Sequence, residues 1–399
     1  MKQWVIFTAG ITVWLISAQS CKEFEPPAPN NDSVLDGPVG GLTAGEAIIH
    51  AQGDAAFNND IFTSLTGLGP IFVATSCGSC HAGDGKGHPF TTLTRFGQTD
   101  STGNHFLDQG GPQLQNRAIP GYSPEQIPAG ASFAKFTPPG VTGLGFLELV
   151  PDTDILVMAD PNDSDGDGIS GVPNYNTLPT FVTPRSDAMQ KAGKYICRFG
   201  KKAAVYSLLQ QTLNAYNQDI GITSAFVPTD VYTGLVTEPE VSAQTVNQVV
   251  FYLQTLKAPI QRNQNTGTVQ SGKQAFLNIG CEKCHRQTLK SGFSAVAALS
   301  NKEFHPYTDL LLHDMGPGLD DRYTEGSAKT FEWRTPPLWG LGLSPKSQGG
   351  RYFLMHDGRA TSIESAIALH SGEAATSAAG FDSLSQSEKD ALLTFLKSL

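Results

Sequence analysis

The chain has 399 residues, 39% hydrophobic and 16% charged, with a formal net charge of −10. That length suits two or three domains with real cores, and the acidic balance argues against nucleic acid as a partner. The apolar content excludes a disordered chain, while 42 Gly and 25 Pro predict long loops.

Residues 1–20 read as a signal peptide: Lys2 supplies the positive start and residues 5–16 the apolar stretch. That stretch is too short to be preferred as a membrane-spanning helix. Ala18-Gln19-Ser20 precedes Cys21, the pattern of a lipoprotein whose mature N-terminal cysteine carries a diacylglyceryl group. The usual Leu at the third position before the cysteine is absent, and simple cleavage is the alternative. Either way an exported protein is expected, periplasmic or at the cell surface, with a membrane anchor at Cys21. Residues 21–44, rich in Pro, Asn and Gly, read as a tether without a fold of its own.

Two copies of Cys-x-x-Cys-His follow, at Cys77-Cys80-His81 and Cys281-Cys284-His285, in a chain with six cysteines. The pattern is the attachment signal of c-type haem: two thiols one turn apart add to the vinyl groups, and the adjoining imidazole binds the iron. A zinc site would gather all four thiols within a shorter span, and a thioredoxin-like pair would follow a strand in a βαβ unit. The pairs here lie about 200 residues apart and each ends in His, so two covalent haems are the reading.

A weak internal repeat surrounds the motifs. Phe72 stands five residues before Cys77 and Phe276 five before Cys281, predicting a helical turn with an aromatic behind each motif. Val246, Val249, Val250 and Leu253 repeat at helical spacing before Pro259. Leu392, Phe395, Leu396 and Leu399 do the same after the capping-box pattern Ser385-x-x-Glu388. The fold class expected is mainly α with extensive loops: two cytochrome c-like domains, 45–260 and 265–399. The first is enlarged by a loop-rich insertion at about 120–235. Within it Val205, Leu208, Leu209, Leu213, Tyr216 and Ile220 predict a helix ended by Gly221. Cys197 is read as a buried, inert thiol. Asp163, Asp165 and Asp167 alternate around Gly166 as at the start of an EF-hand loop. Position twelve is Asn174 rather than Glu, so Ca²⁺ binding competes with a hydrogen-bonded Asp turn.

The segments SCGSCHAGDGKG (76–87), GPQLQN (111–116), ADPNDSDGDGISG (159–171), RFGKKAA (198–204), YTDLLLHDMGPGLD (307–320), RTPPLWGL (334–341) and HDGRAT (356–361) carry a specific resemblance. Together they are similar to the bacterial di-haem oxidoreductases described as peroxidases, sometimes as thiol oxidoreductases. These are distant relatives of the di-haem cytochrome c peroxidases and of the di-haem enzyme that matures methylamine dehydrogenase.

The resemblance implies an asymmetric pair of haems, with His81 and His285 as proximal ligands. In the di-haem peroxidases a His-x-Gly segment precedes by 14 residues the Met that ligates the electron-transferring haem. Here His356 stands at that distance from His370, which implies His/His coordination of the second iron. A surface histidine at a helix end is the alternative. His88 and His105 read as exposed loop histidines, leaving the sixth position of the first haem open or exchangeable. Glu148 follows the first haem motif at about the distance of the distal Glu in related peroxidases. Apolar neighbours Leu144, Phe146 and Leu147 would raise its pKa for proton transfer; a salt-bridged structural residue is the alternative. Gln113 and Gln115 are expected in the same pocket. His313 and His356 lie in matched motifs, and Arg334 and Trp339 are expected between the porphyrins, Arg334 compensating propionates. The family's usual Trp after Arg-Phe-Gly is Lys201 here, which alters any electron relay through that position.

The function expected is an exported di-haem c-type peroxidase, reducing hydrogen peroxide at the first haem. Its electrons come through the second from a small cytochrome, a cupredoxin or a quinol-linked carrier. Two other classes remain: an electron-transfer cytochrome without catalysis, and an oxidase of a protein or small molecule that uses a high-valent di-haem state.

Overall fold

A computed structural model describes residues 30–399. The signal peptide, Cys21 and residues 22–29 of the tether lie outside the described residues. No described helix is long and apolar enough to cross a membrane.

Two helix pairs organise the chain. The first joins α1 (Ala44–Asn59) to α5 (Ala243–Thr255), and the second joins α6 (Gly267–Asn278) to α10 (Gln386–Ser398). Three of these starts are capped by local chemistry. Thr43 with Glu46 and Ser385 with Glu388 form capping boxes, and Ser242 accepts from Thr245 N–H. Both pairs cross at a glycine. A Cβ at Gly53 would collide with the Gln248 carbonyl oxygen, and one at Gly272 with that of Ala391. Only a residue without a side chain allows helices so close.

The repeat expected from Phe72 and Phe276 takes a different form. Phe276 lies in α6, but Phe72 forms a short strand, β1 (Ile71–Phe72). The helical aromatic before the first motif is Phe57 in α1, packed on Tyr252 of α5 at 5.5 Å. It precedes Cys77 by a longer loop, which hides the repeat at fixed spacing.

Between the pairs lie α2 (Leu144–Glu148), α3 (Asp152–Met158) and α4 (Leu208–Asn214), which runs on as a π-helix through Ala215–Ile220. Val205, expected on that helix, stands before it in a bridge with Phe199. The second half adds α7 (Ser344–Ser347), α8 (Ile363–Ala368) and α9 (Ala375–Ser383).

Strands are short: β2 (Leu93–Phe96), β3 (Arg117–Ala118), β4 (Phe133–Phe136), β5 (Asn174–Asn176), β6 (Gln190–Lys191), β7 (Lys194–Cys197), β8 (Leu289–Lys290), β9 (Glu303–Phe304), β10 (Leu312–Asp314) and β11 (Glu332–Arg334). Among the described residues they make antiparallel pairs β1–β3, β2–β4, β8–β9 and β10–β11, and the three-stranded β5–β7–β6. The expectation of helices joined by extensive loops holds in part: about 33% of the described residues are helical, and a few small sheets accompany them. Short two-residue strands carry too little alternation to be read from sequence.

Packing does not follow chain order. The core of α1, α2, α4 and α5 also takes in Leu289, Leu299, Phe304 and Trp339, while α6, α8, α9 and α10 enclose a second core. The boundary expected at 260–265 therefore separates the helix pairs but not the cores. Residues 37–39, expected in the unfolded tether, are fixed to the end of α5. Val39 N–H donates to Thr255 O at 2.7 Å and Lys257 N–H to Gly37 O at 3.0 Å.

Candidate functional site

Each Cys-x-x-Cys-His segment closes one turn, with His81 N–H donating to Cys77 O and His285 N–H to Cys281 O, both at 3.0 Å. The turn puts both thiols and the imidazole on one side. Both segments line a single cavity of about 440 Å³ with mostly apolar walls. Burial pushes the Cys77 and Cys281 thiols up to about 12 and Cys80 to about 11, far from reactive thiolates. No cysteine among the described residues is in a disulfide. The described side chains that could share a metal ion are Cys284–Asp309–His313 and Asp160–Asp163–Asp165, neither of which uses a whole Cys pair.

Burial holds the His81 and His285 imidazoles down to about 4, so both are neutral and ready to ligate. His285 donates through Nδ1 to Tyr307 O at 3.0 Å, which leaves Nε2 as the free lone pair. His81 Nδ1 is buried without a well-formed hydrogen bond, although the Pro139 and Gly85 carbonyls favour its charged form. His370 follows α8 and lines the same cavity; its Nδ1 donates to Ala366 O at 2.7 Å, and burial lowers its pKa.

The other expected residues separate into two groups. Arg334, Trp339, His356 and Gln113 line the cavity, as do His313, Lys86 and Lys201. His356 stacks on Trp333 at 3.7 Å and pairs with Asp321 at 2.8 Å. His313 sits between Asp309 at 2.8 Å and Glu373 at 2.7 Å. Burial opposes its charge, but those carboxylates and Cys284 outweigh it and hold the imidazole protonated well above its usual range.

Glu148, expected as the catalytic carboxylate, is not among the residues that line the cavity. Its oxygens accept from Leu208 N–H at the start of α4 and from Gln254 Nε2, each at 2.7 Å. Leu144 and Leu147 take the cavity face of α2, and a residue one position on points elsewhere. Gln115 is likewise outside the wall, reaching the Ile71 and Asn217 carbonyls at 3.4 Å. His88 and His105 also stay out: His88 Nδ1 accepts from Phe90 N–H, and His105 meets Thr102.

In place of Glu148 the wall near the first motif carries a polar cluster that the sequence reading missed. Gln113 donates to Asp219, and Arg95 pairs with Glu325 while reaching Gln218 at 3.2 Å and Gln113 at 3.4 Å. Asp219 also lies close enough to Cys77 and Cys80 to raise both thiols. Burial pushes its own carboxyl up to about 6, against the opposing pull of Gln113 and Arg95. Gln113 was the one local signal; Arg95, Asp219 and Glu325 come from distant segments.

The aspartate loop is rearranged relative to the expectation. Oxygens of Asp160, Asp163 and Asp165 lie together, whereas Asp167 pairs with Lys283 at 3.1 Å. Backbone N–H groups of the loop satisfy these carboxylates, Gly168 donating to Asp163 at 3.1 Å and Ile169 to Asp167 at 2.9 Å. Cys197 is buried, its thiol pushed up to about 12 by burial.

The donor set suits haem. Two neutral imidazoles stand beside thiol pairs, walls are apolar, and Lys86, Lys201 and Arg334 face the cavity without an ion pair among the described residues.

A family model described as "Di-haem oxidoreductase, putative peroxidase" matches residues 133–399. The match takes in the second Cys-x-x-Cys-His segment and leaves the first outside. No curated protein matches the chain. Among solved structures, the chain is similar to one of hydrazine synthase from Kuenenia stuttgartiensis at 12% identity over 100% of both chains, with a TM-score of 0.40. That likeness is too slight to bear on fold or activity. With two thirds of its length matched, the chain belongs to the di-haem oxidoreductase family.

Proposed function

We propose that the protein is an exported, lipid-anchored c-type di-haem peroxidase that reduces hydrogen peroxide to two waters with two electrons and two protons. Bound haem would supply a peroxide-reducing iron at the first motif and an electron carrier at the second. In this reading Cys77, Cys80, Cys281 and Cys284 would hold the porphyrins, His81 and His285 would bind the two irons, and His370 would offer a second imidazole at the second motif. The observation that carries it is the inequality of the two ends. A second imidazole, His370, lines the cavity close enough to His285 to disfavour its charged form, while the wall near the first motif offers an acid, an amide and a guanidinium.

Asp219 is suited to take a proton from one peroxide oxygen and return it to the other, because its carboxyl titrates near 6. Gln113 orients that carboxylate. Arg95, held by Glu325, stabilises charge developing on the departing oxygen. Export and the Cys21 anchor rest on the sequence pattern of residues 1–21. A cationic cytochrome, a cupredoxin or a quinol-linked carrier suits the acidic chain as donor.

EPR of the oxidised protein tests the reading. A high-spin signal that peroxide abolishes, beside a low-spin signal that persists, is expected. Two low-spin signals untouched by peroxide would leave an electron-transfer cytochrome instead.

A further inference from the structure

Lys201 and Arg334 are neighbours by backbone pairing: Arg334 N–H donates to Lys201 O at 3.1 Å, and its guanidinium Nε to Gly200 O at 2.9 Å. Both side chains face the cavity, and so does Lys86, from the loop after the first Cys-x-x-Cys-His turn. Lys201 is close enough to Lys86 and Arg334 to be repelled by both. The carboxylates that could answer them are committed elsewhere. Asp357 is held by Arg359 at 2.8 Å and Asp309 by His313 at 2.8 Å.

Lys202, the next residue, shows how this fold treats a buried ammonium that has no ion pair in contact among the described residues. Its Nζ donates to the carbonyls of Lys329, Thr330 and Glu332 and lies 3.6 Å from the centre of the Trp333 ring. Lys86 and Lys201 have no such set of acceptors among the described residues. Burial and mutual repulsion lower Lys201 to about 7, and burial lowers Lys86 to about 8. Three cations gathered in a low-dielectric cavity without a counter-charge are costly unless an anion completes the site.

We propose that Lys86, Lys201 and Arg334 form a cradle for carboxylate groups inside the cavity, and that its occupants are the propionates of the porphyrins. The inference rests on the di-haem reading above and adds Lys201, whose charge then acts directly on the reduction equilibrium. A cation beside a haem favours the reduced, more negative state. Removing it lowers the potential.

The test is spectroelectrochemical titration of the holoprotein, with haem content measured first by pyridine haemochrome. Two haems per chain in wild type and variants keep the di-haem reading intact whatever follows; fewer than two would sink that reading separately. Lys201→Met and Lys201→Gln are expected to shift the reduction equilibrium of at least one haem about tenfold towards the oxidised form, about 59 mV. Lys201→Arg should restore it, and Lys86→Gln should shift it in the same direction as Lys201→Met. Potentials equal to wild type in Lys201→Met, Lys201→Gln and Lys86→Gln would overturn the proposal. Formate added to wild type separates the two sources of carboxylate. No change in potential is expected if propionates fill the cradle. A formate-dependent shift that Lys201→Met abolishes would assign the site to a free small anion and overturn the propionate assignment.

Discussion

His285 and His370 hold their imidazoles in the same way: each points Nδ1 at a backbone carbonyl, Tyr307 at 3.0 Å and Ala366 at 2.7 Å, and both line one cavity. A carbonyl can only accept, so Nδ1 carries the proton in both rings and Nε2 keeps its lone pair. Two imidazoles so prepared suit the two faces of one iron. His370→Ala is expected to turn the second haem from low spin to high spin in EPR. His370→Met should return it to low spin at a raised potential, since thioether stabilises the ferric state less than imidazole. An unchanged low-spin signal in His370→Ala would remove the ligand assignment.

The two buried carboxylates near the first motif should separate cleanly on mutation. Asp219→Asn is expected to lower kcat for peroxide by on the order of 10²–10⁴-fold. The acid limb of the pH profile, centred near 6 where Asp219 loses its proton, should vanish with it. Glu148→Ala should leave kcat within a few-fold of wild type. It should instead destabilise the fold by about 1–3 kcal/mol, because Leu208 N–H and Gln254 lose a buried acceptor. Steady-state kinetics with urea unfolding of both variants checks the pair. Equal loss of kcat in both would return Glu148 to the reaction.

That contrast shows what the sequence carries. The Cys-x-x-Cys-His turns, α5 and α10 were legible because each is set by spacing within a dozen residues. His370 was singled out only through the resemblance to the di-haem peroxidases, by its offset from His356, and it stands in the cavity wall. Glu148 was chosen by distance along the chain, which does not say which side of a short helix a residue takes. Leu147 faces the cavity and Glu148 the start of α4. Arg95 and Asp219 were missed for the opposite reason. They come together because Arg95 bridges Gln113, which donates to Asp219, and because the π-helix 215–220 runs back past the end of β1, where Val73 N–H and Ala74 N–H donate to Asp219 O. Contacts across more than a hundred residues leave no periodic trace.

The deepest ion pair should govern stability rather than chemistry. Asp152 and Arg198 are 0% and 1% exposed and bonded to each other, and Asp152 also accepts from Met189 N–H at 2.8 Å and Arg185 at 3.2 Å. Arg198 donates further to Val150 O at 2.6 Å, closing the turn between α2 and α3. Asp152→Ala leaves the Arg198 guanidinium buried without a carboxylate and is expected to cost about 3–5 kcal/mol. Chemical denaturation of the holoprotein measures it; a loss below about 1 kcal/mol would show that water replaces the carboxylate without strain.

The His313–Glu373 pair fixes how stability follows pH. Burial works against the Glu373 charge, but hydrogen bonds from His313 and Ser170 overcome it and hold the carboxyl at about 2 instead of the usual 4.5. Its contribution is therefore complete above about 4.5 and lost as pH falls through about 2. His313 shifts the other way: raised well above 6.5, it contributes fully below 6.5 and loses that contribution as pH rises through its folded value. Together they set a window from about 4.5 to 6.5 in which both terms are present. Glu373→Gln should lower the urea midpoint most within this window and least at pH 2, where the wild-type carboxylate is itself half protonated. It should also free Ser170, whose N–H and hydroxyl tie the aspartate loop to this carboxylate. A midpoint difference that stays constant from pH 2 to pH 6 would show that Glu373 acts through shape and not through its charge.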